Sequence, residues 1–282
     1  MNVVSVDASA VKSLRDRTGA GIMDCKAALK ESGGDLEKAT DFLRKKGLAS
    51  AAKRAGRDAK EGLVVVRVEG AKAIIAEVNC ETDFVARTED FKALANLVLD
   101  EASAKGAAAT GSQKIADRVA DLSGKIGEKI LVKRIEVLES SNAVFSYVHS
   151  NNKLGVLVEL AAGKAESKKN AVVVELGKNL AMQIAASSPV CVERSGVPAA
   201  TLEREKAIYR EEVKGKPENI LEKIVEGKLS KFYQTACLLE QPFIKDDKQS
   251  IQKLLDETSK QLGDTVKVVR FVRFQLGESV ST

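Results

Sequence analysis

The chain has 282 residues, with 45 Lys+Arg against 40 Asp+Glu for a net charge of +5, one His, four Cys, no Trp and 44% apolar residues. That length allows one to three domains with a full core, and the near-average apolar and charged content excludes a disordered chain. No apolar run approaches the roughly 20 residues needed to cross a bilayer, and the start MNVVSVDASA lacks the basic and apolar regions of a signal peptide, so a cytoplasmic protein with no membrane partner is expected.

The first 47 residues read as three short helices. Val11 and Leu14 space the first, which the glycines of TGAG stop; Ile22, Cys25 and Leu29 pattern the second, closed by Gly33-Gly34. Asp35 then caps a third that carries Leu36, Ala39 and Leu43 and ends at Gly47. The result is a small N-terminal three-helix bundle over 1–47, of a size that suits a docking module. The whole charge surplus lies at its end: 44–60 holds Arg44, Lys45, Lys46, Lys53, Arg54, Arg57 and Lys60 against Asp58 alone. A solvated, extended basic linker over 48–61 is expected. The alternative is an RNA- or ribosome-binding segment at 44–60, but no interleaved aromatics or reading helix accompany it, so no direct nucleic-acid partner is expected.

After Gly62 the period changes from helical to strand-like. Leu63–Glu69 and Ala73–Asn79 are β-branched runs about Gly70-Ala71-Lys72, a hairpin signal. Helices over about Glu89–Ala104 and Lys114–Leu122 lead to a strand, Lys129–Leu138, closing a first core half at 62–140. The pattern then recurs: a hairpin of Ala143–Val148 and Leu154–Leu160 about Asn151-Asn152, then a helix over Ala171–Ala186. Ile74-Ile75-Ala76-Glu77-Val78 aligns with Val156-Leu157-Val158-Glu159-Leu160, which reads as an internal duplication of a domain-sized unit. The second half, 141–188 and 236–282, is interrupted by a helical hairpin at 189–235. Leu202, Tyr209 and Val213 stripe one arm and Leu221, Val225 and Phe232 the other, with Gly215-Lys216-Pro217 at the turn. Each arm holds about two heptads, a weak coiled-coil signal. A helix near Ser250–Gln261 and a strand, Val266–Phe274, complete the second sheet. The fold class is α+β: the bundle, a duplicated core of antiparallel hairpins packed on helices, and an inserted antiparallel helical hairpin.

Catalytic chemistry has little to stand on. His149 is the only imidazole, so it is the only route to a triad or a histidine metal site, and its place at a strand end suits a surface residue. Cys25, Cys80, Cys191 and Cys237 match no CxxC or zinc spacing and are expected as reduced, mostly buried thiols. Gly106-Ala-Ala-Ala-Thr-Gly111 has the glycine spacing of a phosphate loop, but Ser112-Gln113 stands where Lys-Ser/Thr is required. No cofactor, metal, nucleotide or catalytic residue is expected. The most unusual stretch is Asn79-Cys80-Glu81-Thr82-Asp83-Phe84-Val85-Ala86-Arg87 at the hairpin-to-helix junction. Thr82 or Asp83 suits a helix cap and Phe84 a core position; the same tip also suits a wedge presented to another protein, and composition does not separate the two.

The segment Leu14-Arg15-Asp16-Arg17-Thr18-Gly19-Ala20-Gly21-Ile22-Met23-Asp24-Cys25-Lys26-Ala27-Ala28-Leu29 closely resembles the N-terminal signature of the bacterial translation elongation factor Ts family, and Glu77–Ala86 resembles its second signature. Gln183-Ile184-Ala185-Ala186, Val225-Glu226-Gly227-Lys228, Gln241-Pro242-Phe243 and Val272-Arg273-Phe274 follow in the family's order, so the resemblance covers nearly the whole chain. It implies a UBA-like bundle and a guanine-nucleotide exchange factor that binds elongation factor Tu·GDP and promotes GDP release without covalent chemistry. It also implies contact roles for Arg15, Ile22 and Met23 on the partner's GTPase domain, and displacement of the partner's Mg²⁺ by Thr82, Asp83, Phe84 and Val85. The second core half would hold the partner's other domains. Some members continue past the last strand with a further helix; this chain ends eight residues after Phe274, which leaves a C-terminal contact with the partner an open question. The helical hairpin is short beside those that mediate dimerisation, which leaves a homodimer and a 2:2 complex as open forms of assembly.

Overall fold

The computed structural model describes residues 7–215 and 217–279, without the side chains of 48, 50–53, 218 and 219. Lys216, in the turn expected at 215–217, and the side chain of Lys53 lie outside the described residues. The architecture is α+β, three N-terminal helices followed by antiparallel sheets packed with helices. Two units divide the chain: one takes the residues up to Val65, Ile74–Val137 and those from Gln275 on, and the other takes Val66–Ala73 and Leu138–Phe274.

Helix α1 (Ala8–Thr18) ends where Gly19 adopts φ 67° and returns its N–H to the Arg15 carbonyl at 2.6 Å. Helix α2 (Ile22–Glu31) ends before Gly33-Gly34, and the Gly34 N–H closes on Leu29 O at 2.8 Å. Asp35 Oδ1 then accepts from the N–H groups of Glu37 (2.9 Å) and Lys38 (3.1 Å) at the start of α3 (Leu36–Arg54). Leu14, Cys25, Ala28, Leu29 and Ala39 bury together as the bundle core. After the bundle come β1 (Glu61–Glu69), β2 (Lys72–Cys80), the single turn α4 (Asp83–Ala86), α5 (Glu89–Lys105), α6 (Gln113–Ile126) and β3 (Leu131–Glu139), the strands lying in the order β1-β2-β3. Phe91, Leu94 and Val98 of α5 and Ile115 and Leu122 of α6 pack into the core with Ile74, Ala76 and Val78 of β2.

The expected stop at Gly47 is corrected: α3 continues to Arg54. Gly47 is a crossing residue, not a cap, since it faces Gly124 of α6 so closely that a Cβ on Gly124 would stand 3.3 Å from the Gly47 Cα. The basic stretch is corrected with it. Rather than an extended linker, much of it is helix, and several cations of 44–60 form ion pairs while staying largely exposed: Arg44 with Asp117 (2.9 Å), Lys46 with Asp24 (2.7 Å), Arg57 with Glu81 (3.2 Å) and Lys60 with Asp58 (2.9 Å). Arg54 donates to the Ser123 carbonyl at 3.1 Å.

From Ala143 on, the chain again runs through an antiparallel hairpin and then a long helix. Strands β4 (Ala143–Val148) and β5 (Leu154–Ala162) pair antiparallel from Ala143↔Leu160 to Val148↔Gly155, through a turn in which Asn152 adopts φ 54°. Helix α7 (Ala171–Ser187) follows, then the helical hairpin α8 (Ala199–Glu212) and α9 (Glu218–Ala236), strands β6 (Pro242–Phe243) and β7 (Asp246–Ser250), α10 (Ile251–Leu262) and β8 (Val266–Gln275). Strand β8 does complete the sheet, in the order β4-β5-β8. The β6–β7 hairpin was not expected, because Lys245-Asp246-Asp247-Lys248 has no apolar alternation. It is held by tertiary bonds instead: fully buried Gln183 of α7 donates to Pro242 O (3.2 Å) and accepts from Ile244 N–H (2.8 Å). At the base of the helical hairpin Cys191 and Cys237 meet with Sγ atoms 3.7 Å apart; all four cysteines are buried and free.

Two buried carboxylates sit in similar settings on the two three-stranded sheets. Glu77 on β2 and Glu159 on β5 are both buried, and each accepts at 2.7 Å from an arginine Nε on a neighbouring strand, Arg134 on β3 and Arg270 on β8.

Candidate functional site

Strand β2 ends at Cys80, and within two residues the chain enters α4. Thr82 is its N-cap, with extended backbone and a hydroxyl oxygen that accepts from the Val85 N–H at 3.4 Å. Thr88 does the same for α5, accepting from Phe91 N–H at 3.3 Å. Val85 and Ala86 are buried in the core that holds Phe91, so the inner side of this single turn is anchored. The outer side carries Phe84, whose side chain is 77% exposed. Asp83 lies beside it and pairs with Arg87 at 2.6 Å.

The turn is held from behind by the residue that follows α6. That helix ends at Gly127 in the left-handed region, φ 87°, and Glu128 comes next. Glu128 Oε2 accepts from the N–H groups of Glu81 and Thr82, both at 3.1 Å, while Oε1 accepts from the Thr82 hydroxyl at 2.7 Å. Glu81 reciprocates, its Oε1 accepting from Lys129 N–H at 2.6 Å and from Arg57 at 3.2 Å. The Lys129 N–H foremost, and then Arg57, hold the Glu81 carboxyl below the usual range against the opposing effect of its partial desolvation. Beneath the turn, Cys80 Sγ donates to Thr82 O at 3.1 Å; burial, with the charge of Glu128 behind it, pushes this thiol up to about 12, so it is a neutral packing group and not a nucleophile.

Of the sequence-derived tip residues, Phe84 therefore projects, Asp83 is half-exposed, Thr82 caps and Val85 faces the core. The bundle residues form a separate patch. Ile22 and Met23 open α2 with their side chains 53% and 75% exposed, and Arg15 is exposed on α1. His149 sits past the end of β4 with Nδ1 2.9 Å from the Tyr147 hydroxyl. Among the described residues no group of three or more His, Cys, Asp or Glu side chains is placed to hold a metal, and no helix is long and apolar enough to cross a membrane. Sequence reasoning missed Glu128 and Arg57. The available signal for Glu128 was its place directly after a helix-ending glycine, which recurs at Gly263-Asp264.

A clamped turn that projects one aromatic ring has the geometry suited to contact with a partner protein. Residues 81–278 match the family described as Elongation factor TS. Proteins called elongation factor Ts from Prosthecochloris aestuarii and Nitratidesulfovibrio vulgaris are each 47% identical to this chain, over 290 residues (96% of this chain, 99% of the relative) and 284 residues (99% and 98%) respectively. One from Chlorobium phaeobacteroides is 45% identical over 289 residues (96% and 99%). The chain belongs to the elongation factor Ts family: it is a nucleotide exchange factor for elongation factor Tu in translation elongation, and not an enzyme.

Proposed function

We propose that the tip Thr82–Val85 is the element that loosens GDP and Mg²⁺ in elongation factor Tu, with Phe84 as the wedge, and that Arg15, Ile22 and Met23 dock the bundle on the partner's GTPase domain. The observation that carries this reading is the exposure of Phe84 on a turn whose backbone is bonded on its inner side. A phosphate-loop GTPase holds GDP through backbone amides and a Mg²⁺ bridging phosphate and side-chain oxygens. An aromatic ring that shifts the elements supporting the metal weakens both without any covalent bond being broken. Coupling is reciprocal, so the nucleotide that the factor expels must, on rebinding, expel the factor.

The core is proposed as a tandem duplication, on the support of the recurring element order and the matched Glu77–Arg134 and Glu159–Arg270 pairs. Its second half would then engage the partner's other domains. The reading of 44–60 as an RNA-binding segment loses support, since Arg44, Lys46, Arg57 and Lys60 are engaged within the chain. The direct experiment follows release of fluorescent GDP from elongation factor Tu by stopped flow. The full chain accelerates it, and Phe84→Ala folds normally but lowers the saturating rate by about ten- to thirtyfold, the range of a lost hot-spot side chain. An unchanged rate removes the wedge.

A further inference from the structure

We infer that Glu128 is the positioning residue of the tip, and that the pose of Phe84, and with it the exchange rate, depends on its three hydrogen bonds. The inference rests on the tip reading above and adds to it a residue outside the motif. An ionised carboxylate only accepts hydrogen bonds, and this one takes two backbone N–H groups and a hydroxyl at the point where β2 becomes α4. The hydroxyl bond has a second effect. By donating to Glu128, Thr82 points its proton away from the helix, which leaves a lone pair directed at Val85 N–H. Glu128 therefore sets both the path of the backbone into the turn and the orientation of its cap.

Glu128 is itself fixed. Gly127 fixes the backbone ahead of it, the Ser123 hydroxyl donates to its carbonyl at 2.5 Å, and Arg54 donates to Ser123 Oγ at 3.3 Å. An independent observation comes from the second unit, where the same construction appears at the matching place. Gly263, φ 64°, ends α10, Asp264 follows, and its Oδ2 accepts from the N–H of Lys164 at 2.8 Å, two residues beyond the end of β5. The loop held there carries Lys164, Ala165, Glu166 and Ser167 and no aromatic ring. The clamp belongs to the fold, and Phe84 is what the first unit adds to it.

The test uses the full chain and elongation factor Tu loaded with fluorescent GDP. Glu128→Ala lowers the saturating release rate by about tenfold, the effect of losing one to two net hydrogen bonds. Glu128→Gln, which keeps a carbonyl oxygen for the two N–H groups and offers its amide to Thr82 Oγ1, restores the rate to within about threefold of the parent on the same scale. Because Glu128 acts through the tip, Glu128→Ala added to Phe84→Ala costs less than about a further twofold, a non-additivity that a general loss of structure does not produce. On the free chain, amide exchange at 81–85 rises about tenfold in Glu128→Ala and far less in Glu128→Gln. A folded Glu128→Ala protein with a release rate within about twofold of the parent overturns the inference, as do losses that multiply fully with Phe84→Ala. If Glu128→Ala does not fold, Thr82→Val must reproduce the loss and Thr82→Ser must restore it, and failure of either overturns the inference. The amide-exchange readout needs no partner, so a failed clamp is distinguished from a failed wedge, which shows instead as normal release by Phe84→Ala alone.

Discussion

Gly47 and Gly124 meet where α3 crosses α6, and a Cβ built on Gly124 would stand 3.3 Å from the Cα of Gly47. The contact is asymmetric, because a Cβ on Gly47 would lie 3.8 Å from Ala120 O and 3.9 Å from the Gly124 Cα, ordinary van der Waals distances. Gly47→Ala is therefore expected to be tolerated, and to gain up to about 1 kcal/mol from helix propensity. Gly124→Val forces the helices apart and costs about 1–3 kcal/mol. Urea denaturation of the two variants checks this, and equal midpoints would show that the crossing is not close.

The bundle patch and the tip should separate kinetically. Met23 is 75% exposed, so Met23→Asp leaves stability within about 0.5 kcal/mol of the parent. If the patch only docks, the variant raises the concentration of factor giving half-maximal GDP release by about tenfold and leaves the saturating rate unchanged. Titration of the release rate against factor concentration reads both quantities. A fall in the saturating rate alone would move Met23 into the exchange step.

The two aligned carboxylates differ in what their loss strands. Glu77 is fully buried and shared by Arg134 (2.7 Å), Lys133 (3.3 Å) and the N–H of Gly277 (3.0 Å); the Arg134 side chain is only 16% exposed. Arg270, opposite Glu159, is 47% exposed and can turn to water. Glu77→Ala should cost about 3 kcal/mol, near the low end for breaking a buried pair, and Glu159→Ala about half of that. Chemical denaturation ranks them, and the reverse order would contradict the burial argument.

Acid should act through Glu101. Its carboxylate accepts from Lys105 and from the Ser112 hydroxyl, both at 2.6 Å, with Lys114 at 3.3 Å. These bonds, Lys105 foremost, lower it from the ordinary 4.5 to about 2. A depressed folded value means that the contribution is whole above about 4.5 and fades as the pH falls from there toward 2. Thermal midpoints measured from pH 6 to pH 2.5 should fall less steeply for Glu101→Gln than for the parent. Parallel curves would assign the acid sensitivity elsewhere.

Most of the fold was legible in the residues because most of its signals are local. The period of Val11-Leu14, the cap at Asp35, the glycines that end α1 and α2 and the β-branched runs each act within a few positions and appear where their pattern placed them; of the two caps the pattern allowed at the tip, Thr82 and Asp83, the structure uses Thr82. The likeness of the Glu77 and Glu159 segments, on which the proposed duplication rests, is local in the same way. Local pattern could not tell a glycine that ends a helix from one that lets another helix approach, and so Gly47 was misread. It could not show that the basic stretch continues the helix to Arg54, or that an acidic partner lies far along the chain, as Asp117 does for Arg44. Nor could it show that Val85 faces inward while Phe84 faces out, that Gln183 holds a polar β-hairpin, or that Glu128 reaches back to Thr82. The sequence alone determined most of the elements, the likeness to the family and the motif at the tip. The tertiary structure decided which way that tip points, because the groups that hold it are brought together only by packing α6 and the end of β2 into one core.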